Sequence, residues 1–99
     1  MTELLVATGD GFARITERGG EWRVASALSG RGVQCLALDP QQTGTLYAGS
    51  RGQGVWKSED DAGTWARLDF PQPDVFSLAV SPVDGRVYAG CEQIGRAHV

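Results

Sequence analysis

The segment VQCLALDP, Val33 to Pro40, returns as VFSLAVSP, Val75 to Pro82, 42 positions later. GTLYAGS, Gly44 to Ser50, returns as GRVYAGC, Gly85 to Cys91, at an offset of 41, and has an earlier relative in LLVATG, Leu4 to Gly9. GFARITERGGEW, Gly11 to Trp22, aligns with GVWKSEDDAGTW, Gly54 to Trp65, at an offset of 43. Such small changes of offset are what single-residue insertions in loops produce. A chain of 99 residues with this period is an array of similar units, each hiding its apolar face by stacking on a neighbour. That period selects radial repetition over a sandwich.

The units are made of strands. Apolar runs or alternations occur at 3–8, 12–17, 21–26, 33–39, 45–50, 54–58, 64–68, 75–81 and 86–91, each bounded by Gly, Pro or Asp. No window of a dozen residues carries a 3.6-residue period, so no helix is expected. Fourteen glycines, spread between the runs, fit many short turns. The expectation is an all-β chain, and a period near 42 residues lies in the range of four-stranded propeller blades. The most apolar strands, CLAL and SLAV, should lie innermost, making Leu36, Leu38, Leu78 and Val80 core residues. The chain then reads as a fragment of a β-propeller, about two and a quarter four-stranded antiparallel blades over residues 1–93: an incomplete blade at 3–26, a full one at 33–68 and the start of another at 75–91. A propeller must close its ring or expose long edges, so the chain reads as a truncated N-terminal fragment. The last residues, Ile94 to Val99, look like the translation of a common short-read sequencing adapter, a non-biological tail. His98, the one histidine of the chain, lies in that tail and is not offered as a base or metal ligand.

Charge and cysteine content narrow the setting. A net charge of −3 leaves no basic stripe to release counterions, so neither nucleic acid nor an acidic membrane is an expected partner. No basic start with a long apolar run occurs near the N-terminus, so no signal peptide and no membrane span are expected. Cys35 falls opposite Ser77 in the repeat and Cys91 opposite Ser50, slots where a small residue suffices. Both read as free thiols, and a cytoplasmic location fits.

One stretch has the density of a chemical site: KSEDDAGTW, Lys57 to Trp65. Consecutive Glu59, Asp60 and Asp61 suggest a cation, but familiar calcium loops alternate their carboxylates and place a distant Glu. The physical alternative is a turn. Asp and Ser side chains accept hydrogen bonds from backbone N–H groups freed within a reversal, and Trp65 can cover it with an apolar face. The equivalent stretch, Ile15 to Trp22, keeps the Trp and a Gly while losing most of the acids, as a turn clip can and a ligand site cannot. No metal or other cofactor is therefore expected.

Ser58, Asp60, Thr64 and Trp65 match the spacing of the Asp-box, S-x-D-x-G-x-T-W; Ala62 occupies the motif's Gly, with Gly63 displaced by one. By this motif and the repeat, the chain resembles Asp-box β-propellers over about residues 3 to 92: sialidase-like, sortilin-like, xyloglucanase-like and photosystem-assembly-factor-like proteins, largely of bacterial type. The resemblance implies that Ser58, Asp60, Gly63, Thr64 and Trp65 are structural and lie on the outer rim, remote from the axial site.

Other stretches carry less. GSRGQG, Gly49 to Gly54, precedes a strand rather than a helix and lacks what a phosphate cradle needs. Trp22, Trp56 and Trp65 read as packing, as do Tyr47 and Tyr88 at equivalent repeat positions. Propeller surfaces concentrate function where loops meet the axis; there the polar residues are Asp10, Arg31, Arg51 and Asp74, otherwise solvated loop charges. The expected function is a non-catalytic scaffold for a protein or carbohydrate ligand. The alternative is the N-terminal part of a sialidase-like or xyloglucanase-like glycoside hydrolase. Such an enzyme needs a carboxylate pair, or an arginine cluster with a Tyr nucleophile, and two and a fraction blades supply neither.

Overall fold

The computed structural model describes residues 2–91; the expected tail at Ile94 to Val99, with His98, lies outside them. Nine strands follow one another: β1 (Thr2–Ala7), β2 (Phe12–Arg18), β3 (Glu21–Ala27), β4 (Val33–Leu38), β5 (Leu46–Ser50), β6 (Val55–Ser58), β7 (Ala66–Arg67), β8 (Val75–Val80) and β9 (Val87–Cys91). The described residues are all-β, with antiparallel pairing throughout. The strands divide into sheets of three (β1-β2-β3), four (β4-β5-β6-β7) and two (β8-β9), always in chain order. The breaks between sheets follow the period of the repeat.

Repeated sequence gives repeated register. Ala37 pairs with Tyr47 in one sheet and Ala79 with Tyr88 in the next, and both pairs of strands are irregular at the same point, between Val33 and Cys35 and between Val75 and Ser77. Two hydroxyls close equivalent hairpins. Thr8 Oγ1 accepts from Gly11 N at 2.9 Å, and Ser50 Oγ accepts from Gln53 N at 3.1 Å.

The core lies between sheets. Tyr47, Val55 and Val75 are buried together, with Cys35, Phe70, Leu78, Val80 and Ala89 packed against them. Leu46, Val33 and Ala48 are also closed off from solvent. The expected core needs correction. Leu36, Leu78 and Val80 are only half-buried and Leu38 is 59 % exposed. Leu36 and Leu38 share a face of β4 with Ala48 of β5, the side turned to the β1–β3 sheet. That sheet begins at β1, so no described strand lies where β4 and β8 lie in their own sheets, and Leu38 has little to pack against.

One expected strand is also shortened. The run 64–68 forms a strand only over Ala66–Arg67, with one further bond from Leu68 N to Val55 O at 2.8 Å, while at its start the Thr64 N–H is engaged by Asp60. Cys35 and Cys91 are free thiols, and burial pushes both above the usual thiol range. A Cβ added at Gly49 would collide with Cys35 Sγ, so the Cys35 slot is tight. Among the described residues no helix is long and apolar enough to cross a membrane.

Candidate functional site

Two constellations were expected from the sequence, and each can be built from its residues. The first is the loop between β6 and β7. Ser58 Oγ donates to Asp60 Oδ1 at 2.9 Å and accepts from Ala62 N at 2.9 Å. Asp60 Oδ1 accepts from Thr64 N at 2.8 Å, and its Oδ2 accepts from Thr64 Oγ1 at 2.7 Å. Gly63 N donates to Asp60 O at 3.2 Å. These bonds hold the Asp60 carboxyl down to about 2, chiefly through the Thr64 hydroxyl, then the Thr64 N–H, then the Ser58 hydroxyl. With its oxygens occupied inside the loop, Asp60 acts as a clip on the turn.

The loop also reaches outward, which the sequence did not reveal. Asp61 N donates to Gly44 O at 2.8 Å, tying the loop to the β4–β5 turn. Arg14 of β2 donates through Nη1 to Asp61 Oδ2 at 3.2 Å, and through Nη2 to Oδ1 at 2.9 Å and the Asp61 carbonyl at 2.8 Å. Such two-pronged contacts fix orientation as well as charge. Trp65 closes the same junction: its ring lies 5.3 Å from that of Phe12, tilted by 57°, within the range of favourable aromatic pairs. The Arg14–Asp61 contact spans 47 residues, and no local spacing signals a pair so far apart. Among the described residues no group of three or more His, Cys, Asp or Glu is arranged to hold a metal ion.

Two side chains in the loop occupy backbone conformations that favour glycine. Asp61 and Ala62 take φ angles of 59° and 69°, the left-handed region where a Cβ is disfavoured. Glycine adopts that region without penalty, so Ala62 holds the position at a conformational cost.

The second constellation is the set of loops at one end of the sheets. Gly32 N donates to Asp10 O at 2.7 Å, and Arg51 N donates to Gly32 O at 2.9 Å. Arg51 in turn pairs with Asp74 as an isolated antiparallel bridge. Gly9 N donates to Val33 O at 2.8 Å, and Gly52 N and Gly54 N both donate to Pro73 O at 2.9 Å. Four loops from three sheets are thus joined through their backbones.

Gly32 sits at the middle of this chain of bonds, with a φ of 70°, and a Cβ there would stand 3.1 Å from Arg51 O. Asp10, Arg31, Arg51 and Asp74 all belong to these joined loops. Arg31 donates through Nη1 to Gln53 Oε1 at 3.3 Å, and its guanidinium lies 5.4 Å from the centre of the Trp56 ring, a cation–π distance. Trp56, expected as packing, therefore also steers one of the loop cations.

An open apolar cavity of about 370 Å³ lies between the four-stranded and two-stranded sheets, lined by residues that include Tyr47, Lys57, Phe70 and Leu78. It occupies the flank of β6 that corresponds to the flank of β2 reached by Trp65 and Asp61. Compared with protein-family models, with curated proteins and with solved structures, the chain gives no match.

Proposed function

We propose that the chain is a segment of an Asp-box β-propeller and serves as a non-catalytic scaffold presenting its joined loops to a protein or carbohydrate ligand. The repeat, the grouping of strands as three, four and two, and the Ser58–Asp60–Thr64 clip at a third-to-fourth strand hairpin support the propeller reading. The observation that carries the binding role is the backbone continuity from Asp10 through Gly32 and Arg51 to Asp74. Loops tied in this way have little backbone ordering left to do on binding, which favours affinity. Along the ridge two cations, Arg31 and Arg51, lie between Asp10 and Asp74, suiting a ligand with both polar and charged groups.

An NMR titration of the labelled chain with sialyllactose and with a xyloglucan oligosaccharide tests this directly. Shifts at the amides of residues 9–10, 31–32, 51–54 and 74, abolished by Arg31→Glu with Arg51→Glu, are the expected result. Shifts confined to other regions would remove the loop ridge as the site. Release of sialic acid or of shorter glucan would replace the scaffold reading with that of a glycosidase.

A further inference from the structure

The outermost strands of the first two sheets differ. β7 spans two residues, Ala66–Arg67, and Pro71 and Pro73 follow it, features that blunt a sheet edge. β3 runs for seven residues, Glu21–Ala27, pairs with β2 along its whole length, and has no described strand on its other side. Every residue from Glu21 to Ser26 is exposed. The two-residue turn at Gly19 and Gly20 makes Arg18 and Glu21 the closing pair, the pair that exchanges both backbone bonds. Bonding alternates from there, so the N–H and C=O groups of Trp22, Val24 and Ser26 point outward, away from β2. Stacking of repeats covers the faces of a sheet and not its outer edge, so this row stays open in the propeller reading as well.

Two cavities lie along this edge. Glu21 and Arg23 line one of about 290 Å³, together with Thr16 and Arg18 of β2. Ala25 and Ala27 help to line the other, of about 160 Å³, with Phe12 and the loop at Asp61–Gly63. The pairings of Arg18 with Glu21, Thr16 with Arg23 and Phe12 with Ala27 put both cavities on one side of the sheet. Two guanidinium groups and one carboxylate line the first. The second is narrow and apolar at its base, where the buried Phe12 meets the methyl groups of the two alanines.

We infer that β3 is a docking edge for an extended segment of a partner protein, which joins the sheet as a further strand. Backbone bonds to Trp22, Val24 and Ser26 supply the affinity, and the two cavities select alternate side chains. Antiparallel pairing, the mode of every strand pair in this fold, sets the order along the segment. A small apolar residue opposite Ala27 enters the narrow cavity. Four positions later, about 14 Å along an extended chain, an acidic residue stands opposite Arg23. A carboxylate suits that place because the lining cations outnumber the one acid, and opposite charges directly across a strand pair attract.

The probe is the heptapeptide VTATETT, blocked at both ends, whose valine falls opposite Ala27 and whose glutamate falls opposite Arg23. Titrated to about 2 mM, which reaches weak specific contacts, into the isotope-labelled 99-residue chain, it should slow solvent exchange at the amides of Trp22, Val24 and Ser26. Methylating the backbone nitrogen of its central threonine, whose N–H faces Val24, should abolish that protection. Methylating the nitrogen of its alanine, whose N–H points away, should leave it. Arg23→Glu should weaken binding of VTATETT about threefold or more and favour VTATKTT instead; Arg23 is exposed, and far-UV circular dichroism verifies that the variant is folded. No protection at the three amides, or equal protection by the two methylated peptides, overturns the inference and leaves the loop ridge standing. An unchanged preference in Arg23→Glu removes the acidic residue from the segment. Protection that grows with the concentration of the chain alone gives the edge to a second copy and likewise overturns the inference.

Discussion

Two hairpins at equivalent places in the repeat, Glu17–Trp22 and Ser58–Trp65, reverse the chain by different means. In the first, β2 and β3 pair without interruption as far as Arg18 and Glu21. Gly19 and Gly20 supply successive φ angles of 60° and 84°, the two positive values that suit a tight hairpin between twisted strands. Glu17 adds one bond, accepting at Oε2 from Gly20 N at 2.8 Å. In the second, the chain leaves β6 at Ser58 and resumes pairing only at Ala66. Reversal alone therefore needs no acidic loop. What the longer hairpin adds is reach: it sets Asp61 on Arg14 and Trp65 on Phe12, whereas Trp22 remains 57 % exposed. The acids of the second hairpin join sheets as well as holding a turn.

Breaking the junction should have the largest effect. Phe12 is only 3 % exposed, so Phe12→Ala removes the surface under Trp65 and should cost about 3–5 kcal/mol. In so small a chain that is enough to release the β1–β3 sheet, seen as loss of amide protection in β1 and β2 before β4 and β5. Breaking the clip should cost less. Ser58 is 1 % exposed, and Ser58→Ala leaves the Ala62 N–H without its acceptor, a loss of about 1–3 kcal/mol measurable by urea unfolding.

Relieving the strained position runs the other way. Ala62→Gly should stabilise the chain by about 1 kcal/mol, the penalty of a left-handed Cβ. Gly20→Ala in the first hairpin should destabilise it by a similar amount. Opposite signs in the two hairpins are the expected outcome, and equal signs would show that the turns do not differ in the way described.

The smallest effect concerns acid. Asp60 is held at about 2 in the folded chain, below the ordinary carboxylate value near 4. Its contribution is therefore present above the unfolded value and is lost as the pH falls through about 2. Asp60→Asn should flatten the decline of stability over that window. A residual slope remains, because Asp84 is also held low, by the Arg86 N–H and then the Ser81 hydroxyl. An unchanged slope in Asp60→Asn would remove the clip from the acid response.

The strands were readable because short apolar runs between Gly, Pro and Asp leave few alternatives, and eight of the nine runs pair over nearly their expected length. The spacing of Ser58, Asp60 and Thr64 was readable for a similar reason: their bonds close within four residues or fewer. Burial was less so. Leu38 looks like a core residue by type, yet its exposure is set by what stands opposite it in another sheet. The Arg14–Asp61 contact was hidden for the same reason, and so was the role of Gly32, whose N–H and carbonyl reach two different loops. Hydroxyl caps such as Thr8 and Ser50 did carry a signal, since each opens a short Gly-closed loop after a strand.

The order of strands within each sheet has a consequence in time. Every strand pairs with its neighbour along the chain, so each hairpin closes over a short loop and forms at little entropic cost. Links between sheets are of another kind: Arg14 to Asp61 spans 47 residues, and Gln34 to the Val75 carbonyl spans 41. Folding in such a chain is expected to advance one repeat at a time, with quick local pairing and slower docking between units. Each sheet waits, already paired, for the next one to arrive.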